Sequence, residues 1–450
     1  MKKNTFRQFI NIVLILTLLL FNTPIYSAEL DATGSSSGAP TVEAESAILM
    51  DAKTGEILFE KNSTLRQYPA SITKLMTALL AIENLKPSDM ITFSEEAIYG
   101  IEPGSSHIGM RVGEQITVDQ ALHGLLLMSA NEVANGIAEK VSGSIENFAV
   151  AMTRKAESLG AKDTHFANPH GLHDDNHYTT ALDMALIMRA LYNNEYFLEI
   201  MGNFTYEIPP TNKVNEKRYL AQQHKLLTPF GDSKLYRQDV IGGKTGYTDQ
   251  ARHTLVTAAR QGDIDLIVVI LKSSSKQGMY EDTSKLLNYG FNNYEIFDLL
   301  TQDEVISTLP IYSIKSGKLI EFAKCDIIAS SNESVLINKN IKLRDLVTNI
   351  SLPEYLEMGV SPGDVVGSIE YIYNNKVLAR SDLKVADFEY ASSPYAANQP
   401  TKPLITFPLS SFLILLGILV SICIILIIII KHKRKKRFKH KKLKFSKTLK

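Results

Sequence analysis

Leu409 to Ile430, within an apolar segment at 404–430, is a run of 22 residues without one charge, and it limits how the rest of the chain can fold. As a helix the run is about 33 Å long, enough to cross the hydrocarbon core of a bilayer. Residues 431–450 then hold twelve Lys or Arg and no acid, so by the charge bias of cytoplasmic segments this tail is expected inside the cell. At the other end Lys2, Lys3 and Arg7 precede an apolar run from Ile10 to Phe21, and the small residues Ser27 and Ala28 follow. That is the layout of a secretory signal peptide over 1–28, although Tyr26 stands where a small residue is preferred. A signal and one C-terminal span put everything between them outside.

The formal charge of zero, from 48 basic and 48 acidic residues, conceals this division. Removing the twelve tail cations and the three of the signal leaves 33 basic against 48 acidic residues, so the exported part carries about −15. An acidic ectodomain argues against nucleic acid as a partner. The basic tail, beside a span, reads as a topology signal that touches anionic lipid. Cys325 outside and Cys423 within the span offer no intrachain disulfide. Stability must come from packed cores, for which 45% apolar residues in a chain of 450 are ample.

The linker at 29–42 contains Gly34-Ser35-Ser36-Ser37-Gly38-Ala39-Pro40, which spells the Gly-x-Ser-x-Gly of a nucleophile elbow. An elbow needs a strand before it and a helix after it, and linker composition supplies neither. Ser46 to Glu60 has two apolar runs joined by turn residues, which predicts a β-hairpin with Lys53-Thr54-Gly55 in its turn. From Ser71 to Gly160 the pattern is helical: Thr117 and Gln120 make a candidate capping box before Ala121 to Met128, and Gly160 ends a helix from Ser144. Thr179 to Leu191 predicts another helix. Leu255 to Ala259 and Leu266 to Ile270 read as strands, and Thr283 to Tyr289 closes as a helix. Helices between early and late strands imply an α+β domain over 43–294. From about 295 short strands and turns take over, with a hairpin at Asn374-Asn375 and a turn at Ser361-Pro362-Gly363, so 295–390 is expected to be a small β-rich domain. A linker at 391–403 leads to the membrane.

Three short motifs carry the chemistry: Ser71-Ile72-Thr73-Lys74, Ser129-Ala130-Asn131 and Lys244-Thr245-Gly246. Each pattern recurs elsewhere, at Ser273 to Lys276 and Ser381 to Lys384, at Ser330 to Asn332, and at Lys53 to Gly55, so order, spacing and setting hold the information. Ser71 opens an amphipathic run at a helix N-terminus, and Lys74, three residues on, lies on the same face within reach of its hydroxyl. A lysine serves as base to a serine only if burial or a nearby cation, such as Lys244, lowers its pKa from about 10.4. The plain alternative is a helix cap and a solvated lysine. Ser129 and Asn131 fall in a tight connection between two helical runs, where a second hydroxyl can pass a proton and an amide can hold both lysine and substrate; a polar turn fits equally well. Lys244-Thr245-Gly246 is expected to begin an edge strand, with cation and hydroxyl for a carboxylate and a glycine for close approach. The N–H groups of Tyr247 and Ser71 are candidates for an oxyanion hole. His165, His170, His173, Asp174, Asp175 and His177 cluster in the sequence, but their spacing fits no zinc pattern, and no metal or cofactor is expected.

In this order and spacing the motifs resemble those of the D-alanyl-D-alanine carboxypeptidases, the low-molecular-mass penicillin-binding proteins of peptidase family S11. Tyr68 to Thr77, Phe166 to Leu172 with His177-Tyr178, and Gly243 to Thr248 extend the likeness, which covers roughly 43 to 390. The resemblance implies a β-lactamase/transpeptidase-like catalytic domain that trims the terminal D-alanine from peptidoglycan stem peptides and is acylated by β-lactams. Ser71 is then the acyl carrier and Lys74 the base. Ser129 and Asn131 assist proton transfer and positioning, and Lys244 with Thr245 holds the terminal carboxylate. Two departures are Ala251-Arg252-His253, where the family usually has Ala-Gly and an aromatic, and His224 in place of a common asparagine. A class A β-lactamase is the nearest rival, but its Glu-x-x-Asn loop is represented only by Glu132-Val133-Ala134-Asn135, directly after the second motif. A D,D-endopeptidase using the same serine and a non-catalytic wall-binding scaffold complete the alternatives.

Overall fold

The computed structural model describes residues 38–229 and 234–388. The signal at 1–28, most of the first linker, the linker at 391–403, the segment at 404–430 and the tail lie outside the described residues. Among the described residues no helix is long and apolar enough to cross a membrane.

β1 (Ser46–Asp51) and β2 (Ile57–Lys61) form the expected hairpin. Asp51 closes its turn, accepting the Thr54 N–H at 2.9 Å and the Thr54 hydroxyl at 2.5 Å. With β3 (Val240–Thr248), β4 (Arg252–Gln261) and β5 (Ile264–Ser273) the hairpin builds an antiparallel sheet in the order β2-β1-β5-β4-β3. Both side-chain rows of β5, Leu266-Val268-Ile270 and Ile267-Val269-Leu271, are buried, so this antiparallel sheet is covered on both faces.

The covering helices are α1 (Lys74–Asn84), α2 (Val118–Leu127), α3 (Asn131–Ser142), α4 (Ile145–Ser158), α5 (Ala181–Tyr192), α6 (Glu195–Gly202) and α7 (Lys276–Asn293). On one face α7 approaches so closely that a Cβ on Gly290 would stand 2.5 Å from Leu266. On the other, Gly242 leaves room for Met188 of α5 and Phe197 of α6. Thr117 and Gln120 make the capping box, Ser144 caps α4, and Gly160 follows α4 with φ +87°.

Three expectations need correction. The helical run from Ser71 to Gly160 is interrupted by a two-stranded ladder, Met90–Thr92 against Gln115–Thr117, whose three-residue strands are too short to show a period of two. The helix expected at Thr283 to Tyr289 runs over Lys276–Asn293, because Ser275 caps it by accepting the Gly278 N–H, while its exposed first turn blurs the apolar pattern. Lys244 sits in the middle of β3 rather than at its start, since Gly242 and Gly243 pair in register with Ala258 and Thr257 instead of breaking the strand.

Over 294–388 the chain is almost wholly β: β6 (Tyr294–Leu300), β7 (Val305–Lys315), β8 (Lys318–Ala329), β9 (Glu333–Asn338), β10 (Val347–Ser351), β11 (Leu356–Glu357), β12 (Val365–Tyr373) and β13 (Lys376–Val385). The described residues form two compact units. One runs to Val305 and includes Ile328–Leu352 and Val365–Lys384; the other comprises Ile306–Ile327, Pro353–Asp364 and residues 385–388. In the first, β6 pairs with β9, and β12 with both β10 and β13. The β12–β13 hairpin turns on Asn374 and Asn375, φ +48° and +63°, as Asn-Asn turn chemistry allows. In the second, Ile311 and Tyr312 of β7 pair in parallel with β11.

Candidate active site

Ser71 lies in a 3-10 turn, Ala70–Thr73, that runs directly into α1. Ala70 precedes it with φ +52°, a conformation that an alanine holds only when its surroundings impose it. They do so from two sides. Thr254 of β4 donates its hydroxyl hydrogen bond to Pro69 O at 2.9 Å. On the other side Gly171 lies so close beneath that a Cβ there would stand 1.9 Å from Ala70 O. The loop carrying Gly171 is tied down by Thr77 Oγ1 donating to Pro169 O at 2.5 Å and by Thr73 Oγ1 against His177 Nε2 at 2.8 Å. Because His177 Nδ1 accepts from the Ala167 N–H, Nε2 carries the hydrogen and donates to Thr73. Burial holds His177 neutral, with its pKa pushed down to about 3.

Lys74 is fully buried. Its Nζ lies 3.0 Å from Ser71 Oγ, 2.7 Å from Asn131 Oδ1 and 2.6 Å from His170 O. Desolvation first, and the charge of Lys244 second, lower its pKa well below the ordinary lysine value, against a smaller opposing pull from Glu132. Asn131 Oδ1 and His170 O can only accept. An unprotonated amine therefore spends its two N–H bonds on them and turns its lone pair toward the Ser71 hydroxyl. Lys244 is buried too, with its pKa lowered to about 7 by desolvation, and Nζ donates to Thr245 O at 2.9 Å.

Ser129 joins α2 to α3 with φ +61°, and Asn131 is the first residue of α3. Both line an open cleft of about 430 Å³ together with Ser71, Thr245, Gly246 and Tyr247. β3 is an edge strand of the sheet, and Gly246 lets it pass against the serine turn: a Cβ there would lie 2.8 Å from Ser71 N. The structure thus brings all three motifs to one cleft. The two motif lysines, Lys74 and Lys244, do not line the cleft, since both side chains are buried. Sequence reasoning missed the segment Gly104-Ser105-Ser106, which also lines the cleft, and Gln223, Lys276 and Met279. Ser106 is fixed by its carbonyl accepting the Asn131 N–H at 2.9 Å, a contact with no signature in the sequence.

The histidine cluster is drawn apart. His170 and His177 are buried structural supports of the serine turn, His165 bonds Asn176 O at 2.6 Å, and His173 packs its ring edge-on to Tyr68. Among the described residues no three His, Cys, Asp or Glu are grouped to hold a metal. Glu132 lies buried in α3, accepting the Ile108 N–H at 2.8 Å, and it makes no hydrogen bond to Ser71 or Lys74.

Residues 33–275 match the family model of the D-alanyl-D-alanine carboxypeptidases. The chain belongs to that family. Across 393 residues it is 32% identical to the D-alanyl-D-alanine carboxypeptidase DacF of Bacillus subtilis, covering 85% of this chain and 96% of the relative. It is 30% identical over 360 residues to DacA of Escherichia coli K12, covering 77% and 84%. The crystal structure of penicillin binding protein 5 from Haemophilus influenzae superposes with a TM-score of 0.62 at 29% identity, over 78% of this chain and 98% of the other. Within the carboxypeptidase family the two departures take defined places. Arg252, the first residue of β4, adopts φ +56°, and His253 lines the cleft with its ring 4.7 Å from that of Tyr247. His224 is buried beside β3, bonded to Thr257 Oγ1 at 3.0 Å, and stays neutral with its pKa lowered to about 3 by burial and then by Lys244.

Proposed function

We propose that the protein is a serine D-alanyl-D-alanine carboxypeptidase that removes the terminal D-alanine from peptidoglycan stem peptides and is acylated by penicillins. The observation that carries the reading is the buried, charge-depressed Lys74 amine 3.0 Å from Ser71 Oγ. Ser71 Oγ attacks the carbonyl of the penultimate residue while its proton passes to Lys74, giving a tetrahedral intermediate whose oxyanion is held by backbone N–H groups of Ser71 and Tyr247; its collapse breaks the C–N bond, expels the terminal D-alanine and leaves the ester on Ser71. The departing amine takes a proton relayed through the Ser129 hydroxyl. Thr245 engages the substrate carboxylate from β3, Asn131 positions Lys74 and the substrate, and Lys244 supplies positive potential behind them. Gly246 allows the peptide to lie along the edge strand. Water then attacks the ester and regenerates Ser71.

The uncharged run from Leu409 to Ile430 and the twelve cations after it support a protein held by one C-terminal span, with the catalytic unit outside the cell and the tail within. The test is incubation of the ectodomain, ending before Leu404, with an acetylated tripeptide terminating in D-Ala-D-Ala. Release of one D-alanine per peptide is expected; no release, or no penicillin adduct on the Ser71 peptide, refutes the reading.

A further inference from the structure

β7 and β8 are joined by a two-residue turn, Ser316-Gly317, whose positive φ values, +53° and +75°, are those of a tight hairpin. Such a turn sets Ile314 opposite Leu319 at the hairpin tip. Every residue from Ile314 to Glu321 is exposed, with Ile314, Leu319 and Ile320 at 75%, 55% and 46%. Large apolar side chains gathered on one tip make a patch, unlike the single exposures that any surface carries. The charge of this stretch also stands apart. In an exported part of about −15, the residues from Ile306 to Cys325 hold Lys315, Lys318 and Lys324 against Glu321 alone.

The path of the chain gives the patch its neighbour. β8 and β13 are adjacent in one sheet, where Ser330 N–H donates to Asp382 O at 3.0 Å and Ala386 N–H to Asp326 O at 2.9 Å. Rising numbers in β13 thus match falling numbers in β8: the strands are antiparallel, and the chain leaves β13 in the direction of the Ser316-Gly317 turn. From there residues 389–408 lead to the uncharged run that begins at Leu409. Those residues reach at most about 70 Å when fully extended. The apolar tip, its lysines and the exit toward the proposed span therefore share one end of the sheet.

We propose that the β7–β8 tip docks on the outer surface of an anionic phospholipid bilayer. Ile314, Leu319 and Ile320 enter the interface, and Lys315 and Lys318 face the lipid phosphates. This rests on the proposed C-terminal span, whose tether holds the tip close to that surface and makes even a weak second contact effective.

The chain contains no tryptophan, so Leu319→Trp makes the tip its one indole reporter. With the full chain reconstituted in vesicles of phosphatidylglycerol and phosphatidylcholine, lipids brominated on their upper acyl carbons are expected to remove about half or more of this emission. Val377→Trp, 48% exposed at the start of β13 and so at the far end of that strand, is expected to keep its emission. In phosphatidylcholine alone the quenching at the tip should weaken. If Leu319→Trp does not fold, Ile314→Trp reports from the facing strand. No quenching at the tip, in a chain that floats with the vesicles, overturns the inference and leaves the span intact. Emission moved to shorter wavelength without quenching, the mark of a second copy covering the tip, overturns it likewise. So does equal quenching at Val377→Trp, or equal quenching in phosphatidylcholine alone. A chain that does not float refutes the span, and the inference with it.

Discussion

Ser71–Lys74 and Ser381–Lys384 carry the same residue pattern in two settings. In the first, the pair spans a 3-10 turn and the start of α1, where residues three apart share a face, so Nζ meets Oγ at 3.0 Å. In the second, the pair lies within β13, where residues three apart point to opposite faces. Ser381 there bonds Ser331 Oγ at 3.0 Å, while Lys384 pairs with Asp303 at 2.9 Å on a partly exposed surface. The same holds for the two Lys-Thr-Gly copies. Lys53 in its exposed turn reaches Asp263 O, whereas Lys244 is buried in a strand with a lowered pKa. Helical phase and burial, not residue identity, separate the Ser71–Lys74 contact from the other copies of the pattern.

The sharpest break of that comparison is Ser71→Ala set against Ser381→Ala. The first is expected to reduce turnover by at least about 10⁴-fold and to abolish the penicillin adduct, the second to leave both unchanged, as read by D-alanine release and intact mass. An adduct that persists in Ser71→Ala places the nucleophile elsewhere.

Lys74→Ala and Lys384→Ala extend the contrast to the base. Loss of Lys74 should slow acylation by about 10²–10⁴-fold in a folded protein. Loss of Lys384 should cost less than about 1 kcal/mol in urea denaturation and nothing in rate, since a partly exposed ion pair contributes little. Near-normal acylation of Lys74→Ala would falsify the assignment of the base.

Gly171→Ala tests whether the turn beneath Ser71 depends on its support. The added methyl meets Ala70 O at 1.9 Å, and Gly171 holds φ +85°, so Ala70 and Ser71 must shift. A drop in kcat/KM of about 10²-fold is expected from a displacement near 1 Å, and unchanged kinetics would show that the turn is self-supporting.

The smallest effect is on stability. Lys244 releases its proton at about 7 when folded, while the unfolded chain keeps it up to the ordinary value of 10.5. Between those values the unfolded state binds more protons, so this residue's contribution rises with pH across the window and is constant below it. Urea midpoints measured from pH 7 to 10 should therefore climb less steeply in Lys244→Met; identical slopes would mean that Lys244 stays charged when folded.

Much of the fold was legible because its signals are local. Thr117 with Gln120, Ser144 with Gly160, and Asn374-Asn375 act within a few residues, and the structure uses each as a cap or turn. The three-residue strands at Met90–Thr92 and Gln115–Thr117 escaped because they are too short to show a period of two and pair with a segment distant in sequence, and the first turn of α7 because its exposed polar residues blur the apolar pattern although Ser275 caps it. At the site the motif residues were all identifiable in advance. The Gly104–Ser106 wall was not, since it is held by one backbone carbonyl that any residue offers equally.

The sequence alone determined which residues are chemically able to act, and the local geometry of Ser71 and Lys74, because a spacing of three on a helical turn fixes their meeting. Only the tertiary structure decided their chemical state. The buried surroundings of Lys74, the neighbouring charge of Lys244 and the glycine-lined approach of the 166–178 loop arise from segments far apart in the chain. Desolvation and charge proximity are properties of the assembled interior, and no short pattern encodes them.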